Sequence, residues 1–193
     1  MCGRYYVDEN TAREIEKIAG KIDQEQSIRY SGDICPSGNG MVLRMQDQKI
    51  QAVAMLWGFP GYGGKGLIIN ARAENVFERR TFRESAQHRR CVIPAKGFYE
   101  WNLNREKYSF ERDDSPVLWM AGFYDRFRDQ DRFVILTTAA NASVSPVHDR
   151  MPLLLEGEEL EDWIFDSKAA EHILHKAPAP LRASAEYTQL ELF

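Results

Sequence analysis

Cysteine and histidine are scarce in this sequence, and neither is spaced to bind metal. The three cysteines, Cys2, Cys35 and Cys91, are an odd and scattered set. They fit neither a disulfide framework nor a zinc site. The four histidines, His88, His148, His172 and His175, add no ligand spacing, so no metal and no cofactor are expected. No apolar run approaches the ~20 residues of a membrane-spanning helix. The opening Met1-Cys2-Gly3-Arg4-Tyr5-Tyr6 lacks the apolar stretch of a signal peptide, so a cytoplasmic location is expected. Repeats, low-complexity tracts and a Pro/Gly/Ser linker are also missing. One domain over residues 1–193 follows from that. Finally, positive charge is not in excess. The formal net charge of −4 argues against a protein that coats nucleic acid by bulk attraction.

What is present is an ordinary globular composition, 44% hydrophobic and 28% charged. The charge is unevenly distributed. Residues 1–150 carry 22 basic against 20 acidic side chains, whereas residues 151–193 carry 3 against 9. Arg72, Arg79, Arg80, Arg83, Arg89 and Arg90 crowd one stretch. That density suits either an ion-paired solvated face or a local anion groove, and charge alone does not decide.

The apolar pattern predicts a helix over 8–20, capped by Asp8 or Asn10 and stopped by Gly20. Strands are expected at 49–57, 66–70, 90–93, 98–101, 107–111, 117–124, 132–138 and 151–155. Shorter helices are expected at 73–79, 158–164 and 168–174. Many short strands with few helices imply a single α+β domain with a strand-rich, barrel-like core and a few flanking helices.

Cys2 carries the most chemical information. Removal of Met1 would leave an N-terminal 1,2-aminothiol whose α-amine has a reference pKa near ~8. Such an amine forms a Schiff base with an aldehyde, and the adjacent thiol closes onto the imine carbon to give a thiazolidine. An N-terminal cysteine can also act as a hydrolytic nucleophile with its own amine as base. Three further polar groups stand where strands are expected to begin or end. Asn70 and Arg72 follow the apolar Leu67-Ile68-Ile69. Glu100 lies between Tyr99 and Trp101, where partial burial would suit it to general acid–base work. His148 precedes Asp149-Arg150 and an apolar strand. Each also has a purely structural reading: Asn70 as a helix cap, Glu100 as an arginine partner, His148 as a turn residue.

In combination the segments MCGR (1–4), WGF (57–59), INARAE (69–74), RRCVIPAKGFYEW (89–101), AGFY (121–124), TTAAN (137–141) and VHDRMPLLL (147–155) resemble the SRAP family, the SOS-response-associated peptidase-like proteins. They recur in the family's order across nearly the whole chain, and the closing TQLELF is similar to its C-terminal ending. The resemblance implies shielding of abasic sites in single-stranded DNA by a covalent cross-link; apart from it, no membrane role and a monomeric chain are expected. By that resemblance Cys2 forms the thiazolidine with the ring-opened sugar, and Asn70 hydrogen-bonds and orients the N-terminal cysteine or the sugar. Glu100 shuttles protons and supports any self-removal of Met1, and His148 serves the sugar oxygen. Arg72 and Arg150 match phosphate-binding arginines, a task suited to the guanidinium fork. Arg4, Pro36 and Tyr62 complete the DNA-contacting set, with Pro36 and the 58–64 loop at a strand–duplex junction. Trp57 reads as core rather than as a base-stacking residue, and Cys35 and Cys91 as packing residues.

The chemistry agrees with that resemblance. A plain Schiff base at an abasic site promotes β-elimination and strand breakage, whereas a thiazolidine removes the electron sink. Two features depart from the family pattern. The 58–66 loop is short and glycine-rich, with Tyr62 where many members have tryptophan. Asp33-Ile34-Cys35-Pro36 replaces the usual Asn-hydrophobic-Ala-Pro. Two other functions compete, a cysteine peptidase with Cys2 as acyl nucleophile and a noncatalytic reader of modified DNA bases.

Overall fold

The computed structural model describes residues 2–20 and 31–186; Met1 and the closing TQLELF lie outside the described residues. In chain order the elements are β1 (Tyr5–Val7), α1 (Glu9–Ala19), β2 (Gly32–Ile34), β3 (Asn39–Gln46), β4 (Lys49–Trp57), β5 (Phe59–Pro60), β6 (Leu67–Ile68), β7 (Asn70–Arg72), α2 (Arg83–His88), β8 (Arg90–Ala95), β9 (Gly97–Trp101) and β10 (Lys107–Glu111). They continue with β11 (Leu118–Phe127), β12 (Gln130–Ala139), β13 (Arg150–Pro152), β14 (Leu154–Leu155), α3 (Leu160–Phe165), α4 (Ser167–Ile173) and β15 (Arg182–Glu186). No helix among the described residues is long and apolar enough to cross a membrane.

The order β12-β4-β3-β8-β11 closes on itself because β11 also pairs with β12. This ring is the barrel. The central residues of β3, β8, β11 and β12 are buried on both faces, and successive residues alternate between two cores. Cys91, Ile93, Phe133 and Ile135 point to one, and Val92, Val134 and Leu136 to the other. The second core is covered by Ile15 of α1, Trp163 and Ile164 of α3, and Ile173 of α4. Burial on both sides erases the polar–apolar alternation that marks a half-exposed strand. The buried run Gly40–Leu43 of β3 therefore escapes a periodicity reading, whereas β4 and β10 form over the expected residues.

A second sheet, β15-β10-β9-β1-β2, lies against the first core through Tyr5, Phe98 and Phe110. Tyr5 packs on Trp57 with ring centroids 5.3 Å apart. Its hydroxyl reaches so close to Gly40 that a Cβ there would lie 2.1 Å from it, so only glycine admits the packing that seats the N-terminal strand.

Local signals also held at α1. Asp8 Oδ1 accepts the Thr11 amide at 2.8 Å, and Gly20, at φ 77°, ends the helix. The helix expected at 73–79 does not form. A single 3-10 turn spans Ala73–Asn75, because tertiary contacts bury both Ala73 and Val76, an i,i+3 pair that a 3-10 turn aligns. Cys91 is buried as expected, but Cys35 is exposed and is not a packing residue. It lies just past the end of β2, where the chain turns into solvent.

Candidate functional site

The site is assembled where the N-terminus passes between the barrel and the second sheet. β1 pairs with β9 in the register Tyr5↔Phe98, and the Tyr99 amide donates to the Arg4 carbonyl at 3.0 Å. That register carries Cys2 past Glu100. Cys2 is fully buried, in the cluster that holds Tyr5, Trp57 and Phe133. Its Sγ is 3.8 Å from the Arg4 carbonyl oxygen. Burial pushes the Cys2 thiol well above its ordinary range, and the Glu100 carboxylate raises it further. The same burial, with Cys2 nearby, pushes the Tyr5 phenol up.

Asn70 reaches this point from the barrel. β7 runs parallel to β12 with Asn70 beside Ile135, and Asn70 Nδ2 donates to the Cys2 carbonyl at 2.8 Å. Its Oδ1 is buried without a hydrogen-bond partner among the described residues. Trp57 fixes the approach of this strand, for its buried Nε1 donates to the Ile69 carbonyl at 3.0 Å. The WGF tryptophan is thus core. Glu100 is buried on β9 opposite Tyr108. Cys2, Asn70 and Glu100 therefore come together from separate parts of the chain.

His148 lies at the rim, a quarter exposed. Val144 and Met151, on either side of it, belong to the same buried cluster as Cys2. Its Nδ1 is 3.0 Å from the Arg150 amide nitrogen and 3.0 Å from Asp149 Oδ1. The amide can only donate, so neutral imidazole accepts at Nδ1 and carries its proton on Nε2. Asn141 stiffens the loop. Its Oδ1 accepts the Ser143 amide at 3.0 Å, and its Nδ2 donates to the Pro178 and Ala179 carbonyls, each at 3.0 Å.

The arginines separate into two kinds. Arg72 is exposed and makes no ion pair among the described residues. Arg150, in contrast, is occupied: its terminal nitrogens meet the two Glu74 oxygens at 2.5 and 2.9 Å, and one also donates to the Thr137 carbonyl at 2.6 Å. Arg89 is engaged with Asp125 and Glu84. Arg90 is buried and donates to the backbone carbonyls of Trp163 and Gln87. The dense arginine stretch is thus partly internal bracing.

Arg4 lies 3.5 Å from Asp33 and 5.9 Å above the Trp101 ring. Pro36 is half-buried in a shallow cleft at the end of β2. Tyr62 is highly exposed on a 3-10 turn, with its hydroxyl 2.7 Å from Thr81 Oγ1. Trp101 faces His148 across a cleft of about 740 Å³. Sequence reasoning assigned no role to Trp101, Glu74 or Asn141, although all three lie inside the motifs quoted. Only their contacts reveal them. No group of three or more His, Cys, Asp or Glu among the described residues could hold a metal ion.

The chain is 29% identical over 178 residues to the abasic site processing protein YedK of Escherichia coli, covering 85% of this chain and 79% of that protein. It is also 29% identical over 181 residues to the abasic site processing protein YoqW of Bacillus subtilis, covering 85% and 80%. A crystal structure of a Bacteroides thetaiotaomicron protein shares the fold with a TM-score of 0.80 at 23% identity, covering 97% of this chain and 93% of that one. Residues 1–191 match the family described as SOS response associated peptidase, SRAP. With the motifs, the barrel and the N-terminal cluster in agreement, the chain belongs to the SRAP family.

Proposed function

We propose that the protein processes abasic sites in single-stranded DNA by bonding covalently to them through Cys2. Once Met1 is removed, the α-amine of Cys2 adds to the aldehyde of the ring-opened sugar and expels water as the imine forms. The thiol then adds across the imine: sulfur bonds to carbon and the thiol proton ends on nitrogen. One water is lost overall, and no oxidant or cofactor is needed. The contact that supports this reading best is the 2.8 Å hydrogen bond from Asn70 to the Cys2 carbonyl, which holds the reacting residue beside the buried Glu100 carboxylate.

In this mechanism Glu100 receives and returns protons during imine formation and thiol addition. His148 serves the sugar oxygen from the rim. Arg72 takes a backbone phosphate, while Arg150, held by Glu74, keeps the wall of the groove in place. Phosphate contacts position a strand without reading its sequence, as a lesion sensor requires. In this reading the α-amine makes the first attack and the buried thiol the second.

The test mixes Met1-free protein with a single-stranded oligonucleotide carrying one abasic site. A heat- and detergent-resistant adduct is expected, with the summed mass of both partners less one water, and Cys2→Ala abolishes it. Wild-type protein with a free Cys2 and no adduct overturns the mechanism. Binding that survives Cys2→Ala with no adduct in the wild type would support the noncatalytic reader instead.

A further inference from the structure

Between α4 and β15 the chain runs through Ala177-Pro178-Ala179-Pro180-Leu181 without helix or strand. The two prolines fix φ, remove two amide donors and push the residue before each of them toward an extended conformation. The result is a stiff strap whose carbonyls are free of any regular ladder. Asn141 takes two of them.

Every polar atom of the Asn141 side chain is engaged. Nδ2 gives its two hydrogens to the Pro178 and Ala179 carbonyls, each at 3.0 Å. Oδ1 accepts the Ser143 amide at 3.0 Å and the Ser143 hydroxyl at 2.6 Å, which fills the capacity of an amide. Ser143 Oγ in turn accepts the Leu181 amide at 2.9 Å. From there the backbone leads to the imidazole. The Asn141 carbonyl accepts the Val144 and Ser145 amides at 3.1 and 2.9 Å, and the Val144 carbonyl accepts the His148 amide at 3.1 Å. Val144 and Leu181 are both buried in the cluster that holds Cys2. At its far end the strap becomes β15, where Ala185 pairs with Tyr108 of β10, and Tyr108 pairs with Glu100 of β9. One stretch of chain thus joins the loop of His148 to the sheet of Glu100.

We propose that Asn141 is a positioning residue for His148: by fastening the 141–148 loop to the 178–181 strap it fixes where the imidazole stands, and so sets how fast the abasic sugar opens. This rests on the abasic-site reading above and assigns to Asn141 the ring-opening step alone. Opening breaks the bond between C1′ and the ring oxygen. The C1′ hydroxyl gives up a proton and the ring oxygen takes one, so the step balances without a co-reactant. An imidazole relays that proton only from within hydrogen-bond reach, and a loop cut from its strap spends less time there.

The experiment compares two aldehydes under saturating conditions with Met1-free protein. The abasic sugar of a single-stranded oligonucleotide must open before Cys2 can react, whereas propanal has no ring. Asn141→Ala should slow the oligonucleotide adduct about tenfold and leave the propanal thiazolidine, followed by mass spectrometry, at the wild-type rate. Asn141→Asp keeps the acceptor for Ser143 but sets a carboxylate oxygen against two carbonyls, and should be slowed at least as much. In a His148→Ala background, Asn141→Ala should change the oligonucleotide rate by less than about twofold, since the group it positions is gone. Thermal melts check that each variant folds. Ser143→Ala, which frees the Leu181 amide, should show a smaller defect of the same kind and carries the test if Asn141→Ala does not fold. Equal slowing on both aldehydes makes Asn141 a general brace and overturns the proposal. So does a wild-type rate on the oligonucleotide, or an undiminished effect in the His148→Ala background. A wild-type protein that gives the propanal product but no oligonucleotide adduct overturns the cross-linking function itself.

Discussion

Arg150 and Glu74 form a two-pronged ion pair, with contacts of 2.5 and 2.9 Å, at the edge of the site. It ties the end of β7 to the start of β13, the two strands that bracket Thr137 of β12. The arginine that sequence motifs offer as a phosphate contact therefore spends its guanidinium on the protein.

The hydrogen bonds from Arg150 hold the Glu74 carboxyl below the ordinary carboxylate range. A carboxylate with a lowered folded-state pKa contributes stability that is complete above its unfolded value, near ~4.3, and is lost as pH falls through the folded value. Glu74→Gln should lower stability at neutral pH by about 0.5–1 kcal/mol, small because Glu74 is partly solvated. It should also flatten the acid limb of stability against pH. Urea midpoints from neutral pH to the acid range measure both.

Salt dependence distinguishes the two arginines. Arg72→Ala removes an exposed cation that makes no ion pair among the described residues, so the slope of log affinity against log salt for a single strand should fall by about 0.7. The double variant Glu74→Ala/Arg150→Ala removes the ion pair without changing net charge, so binding should weaken by a similar factor at every salt concentration, with the slope nearly unchanged. Equal slope changes for the two variants would refute the division.

Asn70→Ala removes the donor to the Cys2 carbonyl. The adduct-forming rate should fall on the order of tenfold to a hundredfold through misplacement of the amine. Asn70→Asp should be slower still, because it sets a carboxylate oxygen against a carbonyl oxygen. Rapid-quench time courses with each variant give the order.

Thiol alkylation should resolve into one fast and two slow groups. Cys35 is exposed. Burial pushes both Cys2 and Cys91 up and also blocks the reagent. Glu100→Gln removes a negative charge that raises the Cys2 thiol, so Cys2 should alkylate faster in that variant while adduct formation slows. Iodoacetamide labelling read by peptide mass spectrometry assigns each rate, and a slower Cys2 in Glu100→Gln would show the charge effect has the opposite sign.

Much of this protein was legible from residue order. Asp8 and Gly20 set the ends of α1 because caps act through nearest neighbours along the chain. β4 and β10 followed from local apolar pattern and flanking turns, and the second-position Cys2 offered a 1,2-aminothiol through bonds that exist before folding. Reading failed where distant neighbours decide. β3 lost its alternation to burial on both faces, 73–79 bent to bury Ala73 and Val76, and Cys35 turned outward. The scarce cysteines and histidines and the negative net charge excluded metal ligation patterns and bulk attraction to nucleic acid, as composition can. Composition could not say which arginines remain free. Ion pairing depends on three-dimensional distance, so only the folded chain shows Arg150 taken by Glu74, Arg90 buried and Arg72 left to solvent. The same holds for the site itself: the β1–β9 register and the β7–β12 pairing bring Asn70 and Glu100 to Cys2, contacts no local pattern encodes.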